Sequence, residues 1–79
     1  MQDLLTYILT SLIDHPDQLR IEEEIEGDIL RFNVYLSEED YPRVIGKHGL
    51  TIKAITDIIR TYKSKNGEDT QKLYINIKS

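Results

Sequence analysis

The spacing of the apolar residues changes several times along this chain, and it constrains the fold more than any other feature. Residues 4–13 and 52–62 carry apolar side chains at the spacing of one helical face. Residues 19–36 and 72–78 instead alternate between apolar and polar side chains, which is typical of strands with one buried face. With a shorter apolar group around residues 41–45, the pattern predicts the order helix, strand, strand, helix, helix, strand.

Glycine and proline mark the predicted boundaries of the first elements. The first helix should end near Asp14 and His15, because Pro16 restricts the residue before it and cannot continue the hydrogen-bond ladder. His15 would then lie at the carbonyl end of the helix, where positive charge is favourable. The pair Gly27-Asp28, with glycine first, predicts a two-residue type II′ hairpin turn between the first two strands.

The three predicted strands differ in how regularly they alternate. In the first strand Glu23 interrupts the apolar face, which favours an edge strand protected from unwanted pairing. The second strand is the most regular, with an apolar face formed by Leu30, Phe32, Val34 and Leu36. Its connection to the last strand is long and helical, so these two strands can pair in parallel by a right-handed crossover. The prediction is a single α+β domain over residues 1–79, with a three-stranded mixed sheet and helices packed on one face.

The short middle helix has its own start and stop signals. Ser37, followed three residues later by Asp40, resembles a capping box. Pro42 is tolerated only in the first turn of a helix, so the helix should begin near Glu39 or Asp40. Gly46 follows the last apolar residue and can take the left-handed conformation that ends a helix.

The composition argues against several classes of function. The chain has 79 residues and no cysteine, so it offers no disulfide, no thiolate nucleophile and no cysteine-based metal site. The two histidines, His15 and His48, are too far apart in sequence to form a local metal pair. No nucleophile is placed beside a base, so we expect no enzymatic activity, no metal and no cofactor. The N-terminus lacks the positive charge of a signal peptide, and no run of ~20 apolar residues occurs, which favours a soluble cytoplasmic protein.

The net charge of −4 is distributed unevenly between the two halves of the chain. Residues 1–42 contain two basic and eleven acidic side chains, a net charge of −9. Residues 43–79 contain eight basic and three acidic side chains, a net charge of +5. Because salt screens charges beyond ~8–10 Å, a locally basic region can attract phosphate although the whole chain is acidic.

The segment over residues 44–55 carries the strongest chemical signal. Gly46 and Gly49 flank two hydrophilic residues, Lys47 and His48, and together they join two predicted helices with almost no linker. Glycine lacks a β-carbon, so a sugar-phosphate chain can approach the backbone closely. The unpaired N–H groups at the start of the second helix favour an anion. Lys47 adds a positive charge, and His48 adds a donor whose charge depends on pH.

This segment resembles the I-G-x-x-G-x-x-I signature of KH domains, whose GXXG loop clamps about four nucleotides of a single strand. The predicted element order is similar to the bacterial type II KH fold. Residues 14–17, Asp-His-Pro-Asp, add a similarity to the small stand-alone bacterial KH proteins of the KhpA type. The resemblance implies an RNA chaperone or post-transcriptional regulator that binds single-stranded RNA. It also implies a homodimer, or a heterodimer with a larger multidomain KH-containing protein.

The resemblance assigns a role to each residue of the segment. It implies that the two glycines cradle the RNA backbone, that Lys47 and His48 face phosphate, and that Ile45 and Ile52 border the base-binding groove with strand residues 32–36. Relatives often carry arginine where Leu50 stands, and Lys53, one turn on, would compensate in part. The predicted RNA-binding residues are Ile45, Gly46, Lys47, His48, Gly49, Thr51, Ile52 and Lys53.

Three other interpretations compete with RNA binding. The glycines could form only a tight turn between two helices. The chain could also be a KH-fold module for protein interaction and dimerisation, with little RNA binding of its own. A helix-turn-helix DNA reader over residues 50–63 is disfavoured, because the apolar stripe leaves mainly Lys53, Asp57, Arg60 and Thr61 exposed.

The polar stretch 63–71 predicts a surface loop in which Lys63 and Lys65 are solvated.

Overall fold

The computed structural model describes residues 2–65 and 72–78, and the order of its elements is the one predicted. Single turns of 3₁₀-helix at Pro16–Gln18 and Lys47–Gly49 lie between the longer elements. Those longer elements are α1 (Gln2–Thr10), β1 (Arg20–Glu26), β2 (Ile29–Tyr35), α2 (Tyr41–Ile45), α3 (Leu50–Lys65) and β3 (Lys72–Lys78).

The three strands form one mixed sheet in the order β1-β2-β3, so β2 is the central strand. β1 pairs antiparallel with β2, from Arg20 opposite Tyr35 to Glu26 opposite Ile29. β3 pairs parallel with β2, from Lys72 beside Ile29 to Lys78 beside Tyr35. The predicted mixed sheet and the edge position of β1 are therefore confirmed. Gly27 has φ of +61°, as the predicted glycine-first hairpin turn requires.

One face of the sheet packs against the helices and forms the core. β2 buries Leu30, Phe32 and Val34 against α1 and α3, and each of these helices buries two apolar residues four positions apart. This spacing places both side chains of a helix on the same face. The remaining core side chains come from α2, β3 and the segments after α1 and β2, and the buried cluster is Leu5, Leu9, Ile13, Leu30, Phe32, Val34, Leu36, Val44, Ile55, Ile59 and Leu73.

Three apolar residues predicted on buried faces are exposed to solvent. Ile25 of β1 is 65% exposed, and β1 has only one half-buried position, Ile21. The helical layer does not cover the hairpin end of β1. On α3, Ile58 and Tyr62 lie beside the buried row of Ile55 and Ile59 rather than on it, because successive helical residues differ by about 100°.

α1 ends at Thr10, earlier than the predicted boundary near Asp14 and His15. The Thr10 hydroxyl donates to Tyr7 O at 3.1 Å, and the Ser11 hydroxyl donates to Ile8 O at 2.6 Å. Such side-chain bonds compete with the helical ladder. The Leu12 N–H then donates to Leu9 O, which closes a tight 3₁₀-type turn. The prediction that proline sets the boundary was wrong, because the hydroxyl residues end the helix first.

The segment after α1 is tied to the start of α2 by a buried carboxylate. Asp40 is only 1% exposed, and its two oxygens accept hydrogen bonds from the N–H groups of Asp14 and His15, both at 2.9 Å. α2 begins at Tyr41, slightly later than predicted. The Ser37 hydroxyl accepts from the Asp40 N–H at 3.2 Å, as the capping signal suggested. The Asp40 side chain, however, does not cap its own helix.

Two ion pairs reinforce this connection. His15 Nε2 lies 2.9 Å from Glu39 Oε2, and Arg43 lies 2.8 Å from Asp14 Oδ2. His15 therefore pairs with a carboxylate on a distant segment, and the prediction that it lies at the end of α1 was wrong. Together with Asp40 these residues form what we term the α1–α2 clamp.

The C-terminal part of α3 also differs from the prediction. The helix continues through Lys63 to Lys65, where lysine is a good helix former and its charge suits the carbonyl end. Lys63 is 2% exposed, so the prediction that it is solvated was wrong, whereas Lys65 is exposed. The rest of the predicted loop, residues 66–71, lies outside the described residues.

Candidate functional site

The loop between α2 and α3 begins with an unusual backbone conformation at Gly46. The Gly46 N–H donates to Pro42 O at 2.8 Å and closes α2. Its φ of +75° agrees with the predicted positive φ, but its ψ of 175° is extended rather than left-handed helical. This region of backbone space is essentially restricted to glycine. The chain therefore leaves α2 by a sharp change of direction that another residue type would not make.

Gly46 is also packed closely against the first turn of α3. A β-carbon at Gly46 would lie 2.7 Å from Thr51 Cβ and 2.9 Å from Thr51 N, and still closer to the Thr51 hydroxyl. These separations are shorter than van der Waals contact, so only glycine fits. Thr51, one of the predicted RNA-binding residues, is half-buried and supports the backbone of Gly46. This contact holds the loop at a fixed distance from α3.

The remaining three loop residues form a tight turn that leads into α3. The Gly49 N–H donates to Gly46 O at 3.2 Å, and the Leu50 N–H donates to Lys47 O. His48 has φ of 58° and ψ of 23°, a left-handed conformation that non-glycine residues rarely adopt. Gly49 has φ of +74°, but a β-carbon there would meet open space. A ligand backbone can therefore approach Gly49 without displacing protein atoms.

The charges around this turn are basic and are not neutralised by nearby acids. Lys47, His48 and Lys53 are exposed. Within residues 2–65 and 72–78, none of them forms an ion pair with a carboxylate. The turn leads into the first turn of α3, which is the positive end of the helix dipole, and the Leu50 N–H there is already bonded to Lys47 O. An anion at this position would meet the positive end of the helix dipole and the exposed ammonium group of Lys47.

Apolar side chains border the loop, although not all of those predicted. Ile45 and Ile52 are half-buried, so part of each remains accessible, and Leu50 is 62% exposed. Phe32 and Val34 have no exposed surface. The prediction that strand residues 32–36 border the groove was therefore wrong, because β2 is the central strand and the helices cover it.

The strand that can border the groove is β3. Both α2 and α3 contact β3, which forms the edge of the sheet opposite β1. Its helix-facing residues Ile75 and Ile77 are half-buried and pack against the margin of the core. The sequence contains a signal for this arrangement. Because β1 occupies one side of β2, a strand pairing in parallel with β2 must take the other side and become an edge.

The described part of the chain lacks the features of two other classes of site. Residues 2–65 and 72–78 contain no group of three or more metal-ligating side chains. The helices of these residues are too short or too polar to cross a membrane.

Comparison with known proteins agrees with the fold. The model of the KhpA/KhpB KH-domain family matches residues 2–77. RNA-binding protein KhpA of Listeria monocytogenes is 38% identical over 66 residues, which cover 84% of this chain and 87% of the relative. RNA-binding protein KhpA of Halalkalibacterium halodurans is 34% identical over 65 residues, which cover 82% of this chain and 86% of the relative. RNA-binding protein KhpA of Chlamydia pneumoniae is 33% identical over 66 residues, which cover 84% of this chain and 85% of the relative. No solved structure matches the chain significantly.

The match includes both helices that flank the loop and all three strands, and the order α-β-β-α-α-β is that of the type II KH fold. The helix-turn-helix interpretation is thereby excluded. KH domains of this family are not enzymes, in agreement with the expectation from the sequence. The chain belongs to the KhpA/KhpB family of KH domains.

Proposed function

We propose that this chain binds single-stranded RNA, without enzymatic activity, through the loop over residues 46–49 and its flanking residues. The observation that carries the proposal is the exposed turn at Lys47 and His48, which has no acidic partner in the described chain and opens onto the start of α3. The relatives' names as RNA-binding proteins support it. The proposed contact residues are Ile45, Gly46, Lys47, His48, Gly49, Thr51, Ile52 and Lys53.

In the proposed complex each part of the loop has a distinct role. Phosphate lies at the N-terminal end of α3, where the helix dipole is positive, and beside the Lys47 ammonium group. The sugar-phosphate backbone passes over Gly49, where no side chain obstructs it. Thr51 acts through Gly46, which it holds in position, rather than by reaching the RNA. Bases enter the groove between Ile45 and Ile52 on one side and Ile75 and Ile77 of β3 on the other. Because such a groove accepts only splayed bases, single strands should bind better than duplexes.

The test is to replace Lys47 and His48 with aspartate in one variant. Aspartate tolerates the left-handed conformation at position 48, and both positions are exposed, so the fold should be retained. The matched control is Gln2→Asp with Lys72→Asp, which changes the net charge equally at exposed positions outside the loop. Fluorescence anisotropy with short single-stranded RNA measures binding, and circular dichroism measures folding.

We expect the loop variant to lose most RNA binding, at least tenfold, whereas the control stays close to the parent. Parent affinity should fall with salt at a slope of about −1.5 to −3, corresponding to two to four neutralised phosphates at about −0.7 each. The residual binding of the loop variant should have a shallower slope. If the folded loop variant binds as tightly as the parent, residues 46–49 are only a turn between helices.

The cellular role that we propose is that of an RNA chaperone or post-transcriptional regulator in the bacterial cytoplasm, with residues 1–79 acting as a single domain. One KH domain contacts only about four nucleotides, so useful affinity requires a second module that raises the effective concentration. A second copy of this chain, or a larger KH-containing protein, would supply that module. The family model, which covers both KhpA and KhpB, supports such a pairing.

A second candidate function is protein interaction without RNA. The exposed Leu50, where relatives often carry arginine, favours it, as does the acidic total charge. The loop variant distinguishes the two functions, because an interaction module would keep its partner after the loop charges are reversed.

A further inference from the structure

We propose that the sheet carries a second phosphate-binding site for the same RNA, formed by Arg20, Tyr35 and Lys78, on the basis of the RNA binding proposed above. These three residues, which we term the cationic row, lie on the face of the sheet that points away from the helices. The site lies outside the loop and its flanking residues. It would lengthen the RNA segment that one domain contacts.

The register of the strands brings the cationic row together. Arg20 of β1 lies opposite Tyr35 of β2, and Tyr35 lies beside Lys78 of β3. Side chains alternate between the two faces of a strand, and Val34 and Leu36 on either side of Tyr35 are buried under the helices. The Arg20 guanidinium lies 4.5 Å from the centre of the Tyr35 ring, and Lys78 Nζ lies 5.6 Å from it. The two cations are therefore held on one aromatic ring.

The cationic row differs in charge from the other cross-strand rows of the same face. In the neighbouring rows β1 contributes Glu22, Glu24 and Glu26. Glu24, for example, lies 3.9 Å from Arg31 and also accepts a hydrogen bond from the Asn33 amide. The row at the opposite end of the strands joins Glu26 to Ile29 and Lys72, so its charges balance.

The positive charges of the cationic row are incompletely compensated. The nearest acid to Arg20 is Glu22 at 3.9 Å, and these side chains are 66% and 50% exposed. An exposed pair at this distance contributes little. No carboxylate among the described residues forms an ion pair with Lys78. Two like charges beside one ring repel each other, and an anion bound near them offsets that repulsion.

The position of the row favours RNA phosphate as that anion. The row lies at the end of β2 from which the chain enters α2, and the Leu36 N–H donates to Lys78 O at 2.9 Å. Five residues connect Tyr35 to α2, and α2 is itself five residues long, about 7.5 Å. The loop is therefore within roughly 30 Å of the row, even with the connection fully extended. A strand of about twelve nucleotides spans about 40 Å even at the duplex spacing of ~3.4 Å, so it can reach both sites.

The test compares RNAs of two lengths and two variants of equal charge. Arg20→Gln with Lys78→Gln removes the cationic row. Lys65→Gln with Lys72→Gln removes two exposed charges elsewhere and serves as the control. Each protein is titrated with oligouridylates of about four and about twelve nucleotides, the shorter matching the reach of the loop alone. Anisotropy is measured at several salt concentrations, with urea unfolding as the stability control.

We expect the row variant to bind the longer RNA at least fivefold more weakly than the parent and to bind the shorter RNA equally well. Its salt slope on the longer RNA should be smaller by about 0.7 to 1.4, the loss of one or two phosphates. The control should match the parent with both RNAs. Arg20→Lys with Lys78→Arg, which keeps both charges, should retain most of the affinity for the longer RNA.

Two results would overturn the second site while leaving the loop proposal intact. One is an unchanged affinity and salt slope for the longer RNA in the row variant. The other is an equal loss for both RNA lengths, which would mean that the row supports the fold or the loop. If the parent binds neither RNA, the proposed function itself fails, and this outcome is separate from the other two.

Discussion

At the scale of single residues, the two glycines of the loop are required for different reasons. Both have positive φ, +75° at Gly46 and +74° at Gly49. A β-carbon on Gly49 would meet open space, whereas a β-carbon on Gly46 would collide with Thr51. Gly46 is therefore required both because its φ and ψ lie in a region restricted to glycine and because a side chain would not fit. Gly49 is favoured only because its φ is positive.

This difference predicts unequal effects of alanine at the two positions. We expect Gly46→Ala to lower the free energy of unfolding by about 3 kcal/mol, and Gly49→Ala by about 1 kcal/mol. Urea unfolding followed by circular dichroism measures both values. Because the collision includes Thr51 Cβ and the Thr51 backbone nitrogen, adding Thr51→Ala should not restore Gly46→Ala to parent stability. Equal losses at the two glycines would contradict the close packing of Gly46.

At the scale of secondary-structure elements, the α1–α2 clamp holds the segment after α1 against the start of the loop-bearing helix. Burial of the Asp40 carboxyl acts to raise its pKa, but the hydrogen bonds from Asp14 N–H, His15 N–H and the Ser37 hydroxyl outweigh burial and lower the pKa. The pKa of His15 is raised, mainly by its hydrogen bond to Glu39. The clamp therefore stabilises the protonated, positively charged form of His15 and the deprotonated, negatively charged form of Asp40.

The sign of each pKa shift predicts how stability depends on pH. The contribution of His15 is complete below its usual pKa of 6.5 and is lost as the pH rises through the raised pKa. The contribution of Asp40 is present above its usual pKa of 3.8 and is lost as the pH falls through the lowered pKa. We therefore expect the urea midpoint to decrease modestly as the pH rises from about 6 to about 8.

Glu39→Gln should reduce that decrease, because it removes the carboxylate that pairs with His15. Glu38→Gln is the matched control, since Glu38 is an exposed neighbour that takes no part in the ion pairs of the clamp. Urea titrations of the parent and both variants at several pH values provide the comparison. A pH dependence that is the same in all three proteins would rule out the His15–Glu39 pair as its source.

At the scale of the whole molecule, the acidic and basic side chains occupy different places, and α3 exposes apolar surface. The acidic side chains of β1 lie along one edge of the sheet, whereas the loop carries basic residues. On α3, Leu50, Ile58 and Tyr62 expose apolar surface that the core does not use. Single exposed apolar residues are ordinary, but several on one helix are typical of a surface that contacts another protein.

We expect the purified chain to self-associate, or to bind a larger KH-containing protein, as proposed from the family. Sedimentation velocity should then report a mass about twice the 9.2 kDa of one chain, with a monomer fraction that grows on dilution. Affinity purification of the tagged chain from its own cells tests the second partner. A strict monomer at all concentrations, together with no recovered RNA-binding protein, would contradict the expected pairing.

Much of this molecule could be predicted from its sequence, because the relevant signals are local. The alternation around Phe32 requires a strand, and the apolar stripe around Ile55 requires a helix. The hairpin turn follows from the conformational freedom of Gly27. The pairing of β3 with β2 followed from the long helical connection between them, and the glycines of the loop identified the candidate site. Apart from the pairing of β3 with β2, each of these features depends on neighbours within a few positions along the chain.

Other features were decided by tertiary structure, because they depend on residues that meet in space and not along the chain. An apolar stripe does not specify which of its members reaches the sheet, and Ile58 was left outside. Asp40 looked like part of a capping box, but it accepts hydrogen bonds from a segment 25 residues away. The sheet edge beside α2 and α3 is β3 rather than β2, because the helices cover the central strand and leave the edge accessible. Tyr35 contacts Arg20 and Lys78 only because the strands pair, and the sequence around Tyr35 does not predict these contacts.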